Sequence, residues 1–155
     1  MKKFIEIIFR RKTLIKSRQW WLKNTFNTYT LLIKYLPRNK KQLLKNSHLT
    51  LLITNNFEMK SLNFKFRNVN KSTDVISFPL NQREQLIQKY LGDIAISIQK
   101  AQKQAKEQNI SLEKELLTLF THGYLHLLGY DHKEKEEGKI MFSLQKKVLL
   151  GVTKG

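Results

Sequence analysis

Hydrophobic residues recur at two spacings along this chain, and the two spacings predict strands interspersed with helices. Short apolar runs rich in β-branched and aromatic residues predict strands at Phe4–Phe9, His48–Thr54, Asp74–Leu80 and Gly92–Ile98. Apolar residues that return every three or four positions predict amphipathic helices, and composition predicts one more. The predicted helices are Ser17–Leu36, Phe57–Phe66, Gln99–Gln108 (by composition), a helix from Ser111 into a histidine cluster, and Lys133–Leu149.

Two polar stretches between these elements are predicted to be connections. Pro37–Ser47 is rich in lysine, and its proline ends the preceding helix. Asn81–Tyr90 is mostly polar and predicts a mobile loop. Strands mixed with helices in 155 residues, without an internal repeat, predict one α+β domain spanning 1–155. We expect a small mixed β-sheet packed with helices, with a central helix that carries the histidines.

Three of the four histidines lie within eleven residues, where the helix that begins after Ser111 ends. His122 and His126 are four positions apart, so both imidazoles leave the same face of the helix. Gly129 favours a left-handed helix stop, after which the chain can bring His132 back toward the pair. Three imidazoles predict a zinc site with one coordination position left open. An open position is typical of a catalytic site, so the spacing predicts an enzyme.

The residue after the first histidine separates this pattern from zinc proteases of the same ligand spacing. Those proteases place glutamate there as the general base, whereas this chain has Gly123. Asp131 is the nearest candidate for proton transfer or for orienting a ligand imidazole. It is equally well suited to cap the turn after Gly129. The fourth histidine, His48, is isolated at the start of a strand and is read as a surface or core residue.

The net charge of +17 favours a polyanionic partner, of which nucleic acid is the commonest. Residues 1–48 carry 13 Lys or Arg and one acidic residue, Glu6. The absence of cysteine excludes disulfides and thiolate metal sites. No apolar run approaches the roughly 18 residues of a membrane helix. Because Glu6 interrupts the short apolar stretch of Met1–Lys12, we expect no signal peptide and a cytoplasmic protein without membrane contact.

The run HGYLHLLGYDH at 122–132 resembles the signature of the YbeY family, which are bacterial endoribonucleases of rRNA maturation. Two upstream regions strengthen the resemblance. LNFKFR at 62–67 and STDVISFP at 72–79 are similar to the family's LNxxYR and TDVLSFP segments, and LGDIAIS at 91–97 is similar to its LGDI-x-IS strand. In this chain, Phe66 stands where the family commonly has tyrosine, and Ser72 stands where it has proline.

The resemblance implies a site with one Zn²⁺ held by His122, His126 and His132. It also implies that Arg67 lines the same cleft as a catalytic or RNA-binding residue, and a guanidinium suits that role because it can hold a phosphate bidentately. Asp131 remains the candidate for proton transfer in this site.

The implied activity is zinc-dependent, single-strand-specific endoribonuclease cleavage in rRNA processing. It would mature the 3′ end of the small-subunit (16S) rRNA and serve in ribosome quality control. The implied partners are rRNA and the small ribosomal subunit, together with a small-subunit ribosomal protein and a ribosome-assembly GTPase, and we expect a monomer. Two alternatives stay open: a zinc-dependent amide or peptide hydrolase, and a non-catalytic rRNA-binding assembly factor whose RNA binding survives loss of the histidines.

Overall fold

A four-stranded mixed sheet forms the centre of the computed structural model, which describes residues 4–10, 13 and 15–154. The strands are β1 (Ile5–Phe9), β2 (His48–Thr54), β3 (Val75–Pro79) and β4 (Tyr90–Ser97). Their order across the sheet is β1-β2-β4-β3. β1, β2 and β4 run parallel, and β3 pairs antiparallel with β4 at the edge. All four predicted strands are confirmed: β2 has the predicted bounds, and the other three have ends that shift by one or two residues.

Helices in the described residues cover both faces of this sheet. They are α1 (Arg18–Tyr35), α2 (Arg38–Asn46), α3 (Asn56–Arg67), α4 (Gln82–Gln88), α5 (Ile98–Glu107), α6 (Leu112–Leu127) and α7 (Lys135–Lys154). The five predicted helices are confirmed as α1, α3, α5, α6 and α7. The predicted single α+β domain with a mixed sheet is confirmed as well. Its bounds of 1–155 stay a prediction, because residues 1–3 and 155 lie outside the described part of the chain.

α6 is the central helix of the fold. It packs against β3 and β4 on the sheet and against the neighbouring helices α5 and α7. Its start is fixed by Ser111, which is the N-cap and whose hydroxyl accepts a hydrogen bond from the backbone N–H of Lys114 at 3.1 Å. Ten of its residues are buried, so its position is set by packing on nearly every side.

Alternation along β4 separates two hydrophobic clusters. Ile94 and Ile96 belong to the main core, whereas Ala95 belongs to a smaller cluster with Met59 of α3. Successive strand residues point to opposite faces of a sheet. α6 therefore lies on one face and α3 on the other, and the cleft between their ends opens at the edge strand β3.

The predicted connection over Pro37–Ser47 is wrong, because residues 38–46 form α2. Leu43 and Leu44 are 8% and 0% exposed and belong to the main core. Burial of this pair against the rest of the fold stabilises a nine-residue helix that is otherwise almost entirely polar. Lys40 of the same helix donates a hydrogen bond to the backbone oxygen of Leu128, at the end of α6.

The predicted mobile loop over Asn81–Tyr90 is also wrong, because residues 82–88 form α4. Asn81 caps this helix by accepting a hydrogen bond from the N–H of Glu84 at 3.0 Å. Gln85 is buried, and its amide donates to the backbone oxygens of Leu91 at 2.9 Å and Leu127 at 2.7 Å. A polar side chain thus anchors the helix, which is why the hydrophobic pattern gave no sign of it.

None of the helices within the described ranges is long and apolar enough to cross a membrane.

Candidate metal centre

The C-terminal end of α6 turns the chain back toward its own last histidine. Gly129 has φ +90°, the left-handed region that favours glycine. Its N–H bonds to the oxygen of His126 at 3.0 Å, and the N–H of Tyr130 bonds to the oxygen of Leu125 at 3.0 Å. This pair of bonds is a Schellman motif, which satisfies two carbonyls that the helix end would leave open. The predicted glycine stop is confirmed, and the loop that follows carries His132.

The structure brings the three predicted histidines together. His122 and His126 project from the last turns of α6 and are partly buried, while His132 comes from the loop and is exposed. One potential ligand atom from each residue lies within 4.8 Å of the others. The Nε2 atoms of His122 and His126 are 3.1 Å apart. In a tetrahedral zinc site, ligand nitrogens at roughly 2.0–2.1 Å from the metal are about 3.3 Å apart.

Hydrogen bonds on the far side of two rings fix which nitrogen faces the cluster. The Nδ1 of His126 is 2.9 Å from the backbone oxygen of Tyr130, which can only accept a hydrogen bond. The Nδ1 of His122 is 2.9 Å from the Oε1 of Gln145 on α7. Both Nδ1 atoms therefore carry the proton, and each Nε2 presents a lone pair.

The donor set fits a divalent metal ion. Two imidazole lone pairs 3.1 Å apart repel one another unless a cation lies between them. Burial lowers the pKa of both His122 and His126, which favours the neutral, metal-binding form of each ring. Three nitrogen ligands without a fourth protein ligand among the described residues match a catalytic zinc site.

α7 contributes two residues to this centre that sequence analysis missed. Gln145 holds the ring of His122, and Phe142 stacks on His122 and His132, with ring centroids 6.1 and 5.7 Å away. The amide of Gln145 stands next to Leu144 on the inner face of α7. A polar residue beside the apolar inner face of α7 was the only feature of the sequence that pointed to this role.

The structure gives a packing reason for the glycine in the protease-base position. A Cβ on Gly123 would lie 2.9 Å from the Cγ2 of Ile94 and 3.1 Å from the Oγ of Ser77. The Ser77 hydroxyl also donates to the backbone oxygen of Gly123 at 3.0 Å. This position therefore faces the sheet and not the histidines, so no side chain here could serve as the base.

Arg67 lies in the same cleft as the three histidines. It is the last residue of α3, and Asn68 ends that helix in the left-handed region at φ 56°. The cleft has a volume of about 420 Å³ and is lined by Arg67, Ser77 and the three histidines, among others. Arg67 is exposed and makes no ion pair within the described part of the chain, so its guanidinium is available to a ligand. Phe66 beside it packs on Phe78, with ring centroids 5.0 Å apart.

Asp131 lines a neighbouring pocket that shares Arg67, His126 and His132 with the cleft, and so lies at its rim. Its Oδ1 accepts the backbone N–H of His132 at 2.7 Å, and its Oδ2 is 3.8 Å from the ammonium of Lys133. The N–H of His132 is the main reason that the pKa of Asp131 lies below its usual value. The carboxylate thus caps the turn. The Nδ1–H groups of His122 and His126 donate instead to Gln145 and to the backbone oxygen of Tyr130.

His48 lies away from this centre. It is the first residue of β2, is exposed, and packs on Tyr90 with ring centroids 4.8 Å apart. Its surface position agrees with its interpretation from sequence.

Comparison with known proteins identifies relatives along most of the chain. A family model described as Endoribonuclease YbeY matches residues 14–153. A protein named Endoribonuclease YbeY from Caldicellulosiruptor bescii is 42% identical over 122 residues, which cover 71% of this chain and 77% of that relative. One of the same name from Syntrophomonas wolfei is 34% identical over 142 residues and covers 86% of each chain.

A solved structure has the same fold. The solution structure of a Thermotoga maritima protein superposes with a TM-score of 0.66 at 30% sequence identity. The match covers 96% of this chain and 88% of the other.

Proposed function

Because this chain belongs to the YbeY family of endoribonucleases, we propose that it hydrolyses phosphodiester bonds of rRNA at the three-histidine centre. The convergence of three imidazoles beside an unpaired arginine, in one cleft, is the observation that carries this assignment. The biological reaction is maturation of the 3′ end of small-subunit rRNA, on single-stranded RNA. Because rRNA precursors are processed there, the compartment is the bacterial cytoplasm.

The metal-binding residues are His122, His126 and His132, and the metal is a single Zn²⁺ ion. When bound, zinc supplies Lewis-acid chemistry, which lowers the pKa of water toward neutrality and polarises a phosphoryl oxygen. Gln145 and the Tyr130 backbone orient the first two rings, so that their Nε2 atoms point into the cleft.

Arg67 binds the phosphate to be cleaved. Its guanidinium offers donors in a planar fork that matches two phosphate oxygens. As negative charge grows on those oxygens, the fixed positive charge stabilises it. Arg67 is free for this role because no carboxylate of the described residues occupies it.

Asp131 takes part in proton transfer at the rim of the cleft. Its carboxylate accepts the backbone N–H of His132, which holds it next to the third proposed ligand and within reach of a proton at this side of the site. The partners are the small ribosomal subunit, one of its ribosomal proteins and a ribosome-assembly GTPase.

The test compares wild type, His126→Ala and Arg67→Ala on a small-subunit rRNA precursor, with protein free of contaminating ribonuclease. We expect both variants to lose cleavage, and metal content to fall only in His126→Ala. RNA cleavage at the wild-type rate by both variants would contradict the proposed site.

Two matched variants control for the loss of a histidine or of a positive charge. His48→Ala removes an exposed imidazole from β2, and Arg83→Ala removes an exposed guanidinium from α4. Both are expected to cleave at the wild-type rate and to retain the metal.

A further inference from the structure

Two phenylalanines stand on the outer face of α3, the helix that ends at Arg67. Phe57 is 84% exposed and Phe64 is 56% exposed. They are seven residues apart, so both rings leave the same face of the helix, about 10 Å apart along its axis. Met59 and Asn63 are buried on the opposite face. A single exposed apolar side chain is ordinary, whereas two large rings on one helix face indicate a binding surface.

Cations alternate with these rings along the same face. Lys60 follows Phe57 by three residues, and Arg67 follows Phe64 by three. The order Phe57, Lys60, Phe64, Arg67 therefore has spacings of three, four and three, which makes successive members neighbours on the helix surface. We call these four residues the α3 stripe. Lys60 and Arg67 are exposed, and neither forms an ion pair within the described part of the chain.

The surroundings of the α3 stripe are positive as well. Lys65 flanks it and is exposed. Glu58 is the only acidic residue of α3, and its carboxylate is bound by Arg10 and Thr54. The stripe thus combines exposed aromatic rings with unpaired cations. This combination matches a polyanion that carries flat rings, which describes a single-stranded nucleic acid.

The α3 stripe runs directly into the cleft of the metal centre. Arg67, its last member, lines that cleft together with the three histidines. From Phe57 to Arg67 the stripe is about 15 Å long, at 1.5 Å per helical residue. A strand whose phosphate lies on Arg67 can therefore continue outward along the helix and cover both rings.

We propose that the α3 stripe is a stacking platform for single-stranded RNA beside the cleft. Bases stack on Phe57 and Phe64, and Lys60 contacts a phosphate between them. The proposal rests on the proposed function, since the strand is the one whose phosphate Arg67 holds. Stacking on an aromatic ring accepts any base, because every base has a flat face. Bases in a duplex are already stacked on one another, so the platform favours unpaired RNA.

Charge disfavours a second copy of this chain as the occupant. A two-fold contact would place the α3 stripe of one copy against that of the other, and its cations would face each other. Each copy also carries a net charge of +17, which adds to the repulsion. RNA meets the same cations with phosphates.

The experiment measures binding of two ten-nucleotide probes to the zinc-loaded, full-length protein by fluorescence anisotropy. One probe is oligothymidylate, and the other is a deoxyribose-phosphate chain of the same length without bases. Both carry the same phosphates, so contacts with the backbone cancel in the ratio of affinities. The deoxyribose backbone protects both probes from a ribonuclease. We expect wild type to prefer the probe with bases by about 25-fold, which is about fivefold for each ring.

Four variants test the source of the preference. Phe57→Ala and Phe64→Ala are each expected to lower the ratio about fivefold, and the exposure of both rings lets the fold persist without them. Phe57→Trp keeps a stacking ring and is expected to retain the ratio. Lys60→Gln should weaken binding of both probes alike and leave the ratio unchanged, because it removes a phosphate contact.

Tyr35→Ala is the matched control. It removes an exposed aromatic ring that also lies beside a lysine, since the ammonium of Lys34 is 5.4 Å from the ring centre. Tyr35 is on α1, which packs against α6 and α7 and not against α3. We expect the wild-type ratio in this variant.

The outcome separates the platform from the proposed reaction. A wild-type ratio below twofold, or an unchanged ratio in both Phe57→Ala and Phe64→Ala, overturns the platform and leaves the rings to a protein partner. An equal fall in Tyr35→Ala overturns it too. Cleavage of the rRNA precursor is measured on the same preparations. A 25-fold ratio without cleavage contradicts the reaction and supports the platform, whereas cleavage with a ratio near one contradicts the platform alone.

Discussion

At the scale of single residues, Gln145 determines the orientation of the His122 ring and which of its nitrogens faces the cluster. Its side-chain oxygen accepts the Nδ1–H of His122 and so directs the Nε2 lone pair into the cluster. The backbone oxygen of Tyr130 orients the ring of His126 in the same way, and no substitution of Tyr130 removes that oxygen. The two rings are therefore oriented by different means, and only the first is open to a direct test by mutation.

We expect Gln145→Ala to weaken zinc binding by about 10- to 100-fold, because the ring of His122 loses the acceptor that fixes its tautomer and orientation. Competition with a chromophoric chelator measures the affinity. Gln145→Glu keeps an acceptor and should restore most of it, while Lys146→Ala changes an exposed neighbour on α7 and should leave it unchanged. Equal zinc affinity in Gln145→Ala and wild type would show that this contact has no such role.

Asp131→Asn separates proton transfer from turn capping. The asparagine oxygen can still accept the N–H of His132, so the turn and the metal content should stay as in wild type. The amide cannot take up a proton, and we expect the rate of RNA cleavage to fall by about 100-fold. Single-turnover cleavage with the zinc content measured on the same sample provides the test. A wild-type rate would mean that Asp131 serves the turn alone.

At the scale of elements, two short helices support the end of α6. Lys40 of α2 donates to the backbone oxygen of Leu128, and Gln85 of α4 donates to that of Leu127. These oxygens belong to the last turn of the helix, where carbonyls lack partners within it. α2 and α4 thus position the turn between His126 and His132, although neither contributes a ligand.

We expect Lys40→Met to lower the free energy of unfolding by about 1 kcal/mol, because the methionine keeps an apolar stem but loses the donor to Leu128. The Lys40 ammonium also lies 5.8 Å from the centre of the Tyr130 ring, so the turn beside His126 loses a second contact. Urea denaturation measures the change. Lys45→Met, on the exposed side of the same helix, should unfold like wild type, and equal loss in both would refute a specific role for Lys40.

A second element contact gives a dependence on pH. Arg10, which follows β1, donates through Nε to the carboxylate of Glu58 on α3 at 2.9–3.0 Å, and Thr54 donates to the same group. The bond from Arg10 is the main reason that the pKa of Glu58 is lowered. Because the folded protein holds this carboxylate ionised, its contribution is complete above the ordinary glutamate pKa and is lost as the pH falls through the lowered value.

Wild type is therefore expected to be more stable than Glu58→Gln at neutral pH, with the difference shrinking below about pH 4.5 as protonation begins. Urea denaturation of both proteins across this range measures the difference. A gap between them that stays constant down to the lowest pH would exclude the ionised contact as its source. Glu84→Gln, an exposed glutamate on α4, provides the comparison.

The elements that could be predicted from the sequence are those whose own residues show the hydrophobic pattern that stabilises them. β2 was predicted to the residue because its apolar run is bounded by polar positions. α2 and α4 were missed because their anchors, Leu44 and Gln85, gain their partners only after the chain has folded. The histidine cluster was predictable because helix geometry and a glycine bring it together locally. The role of Gln145 was not predictable, because Gln145 lies on α7, a separate helix that meets the histidines only in the folded protein.

At the scale of the whole molecule, the positive charge and the cleft are expected to perform different tasks. A net charge of +17 attracts any RNA, whatever its sequence. The cleft itself is lined by Arg67 and the three histidines, among others. General attraction is thus expected from the surface, whereas the proposed chemistry belongs to the few groups that line the cleft.

We expect RNA binding to weaken steeply with salt. If about five phosphates are neutralised, the affinity for single-stranded RNA should fall by about 100-fold between 50 and 200 mM salt. Titrations at several salt concentrations give the slope, and His48→Ala should show the same slope as wild type because it removes neither a Lys or Arg side chain nor the bound metal. A nearly flat dependence would exclude phosphate contacts as the main source of affinity.

The division of the three proposed ligands between a rigid helix and an exposed loop has an expected kinetic consequence. His122 and His126 are fixed by a packed helix, whereas His132 is exposed and stands on the short segment between α6 and α7. We therefore expect release of a bound ion to require only that His132 moves away, so that the exchange rate follows opening of this segment and not unfolding. A cell that withdraws zinc would obtain an intact, idle protein that regains activity as soon as the ion returns.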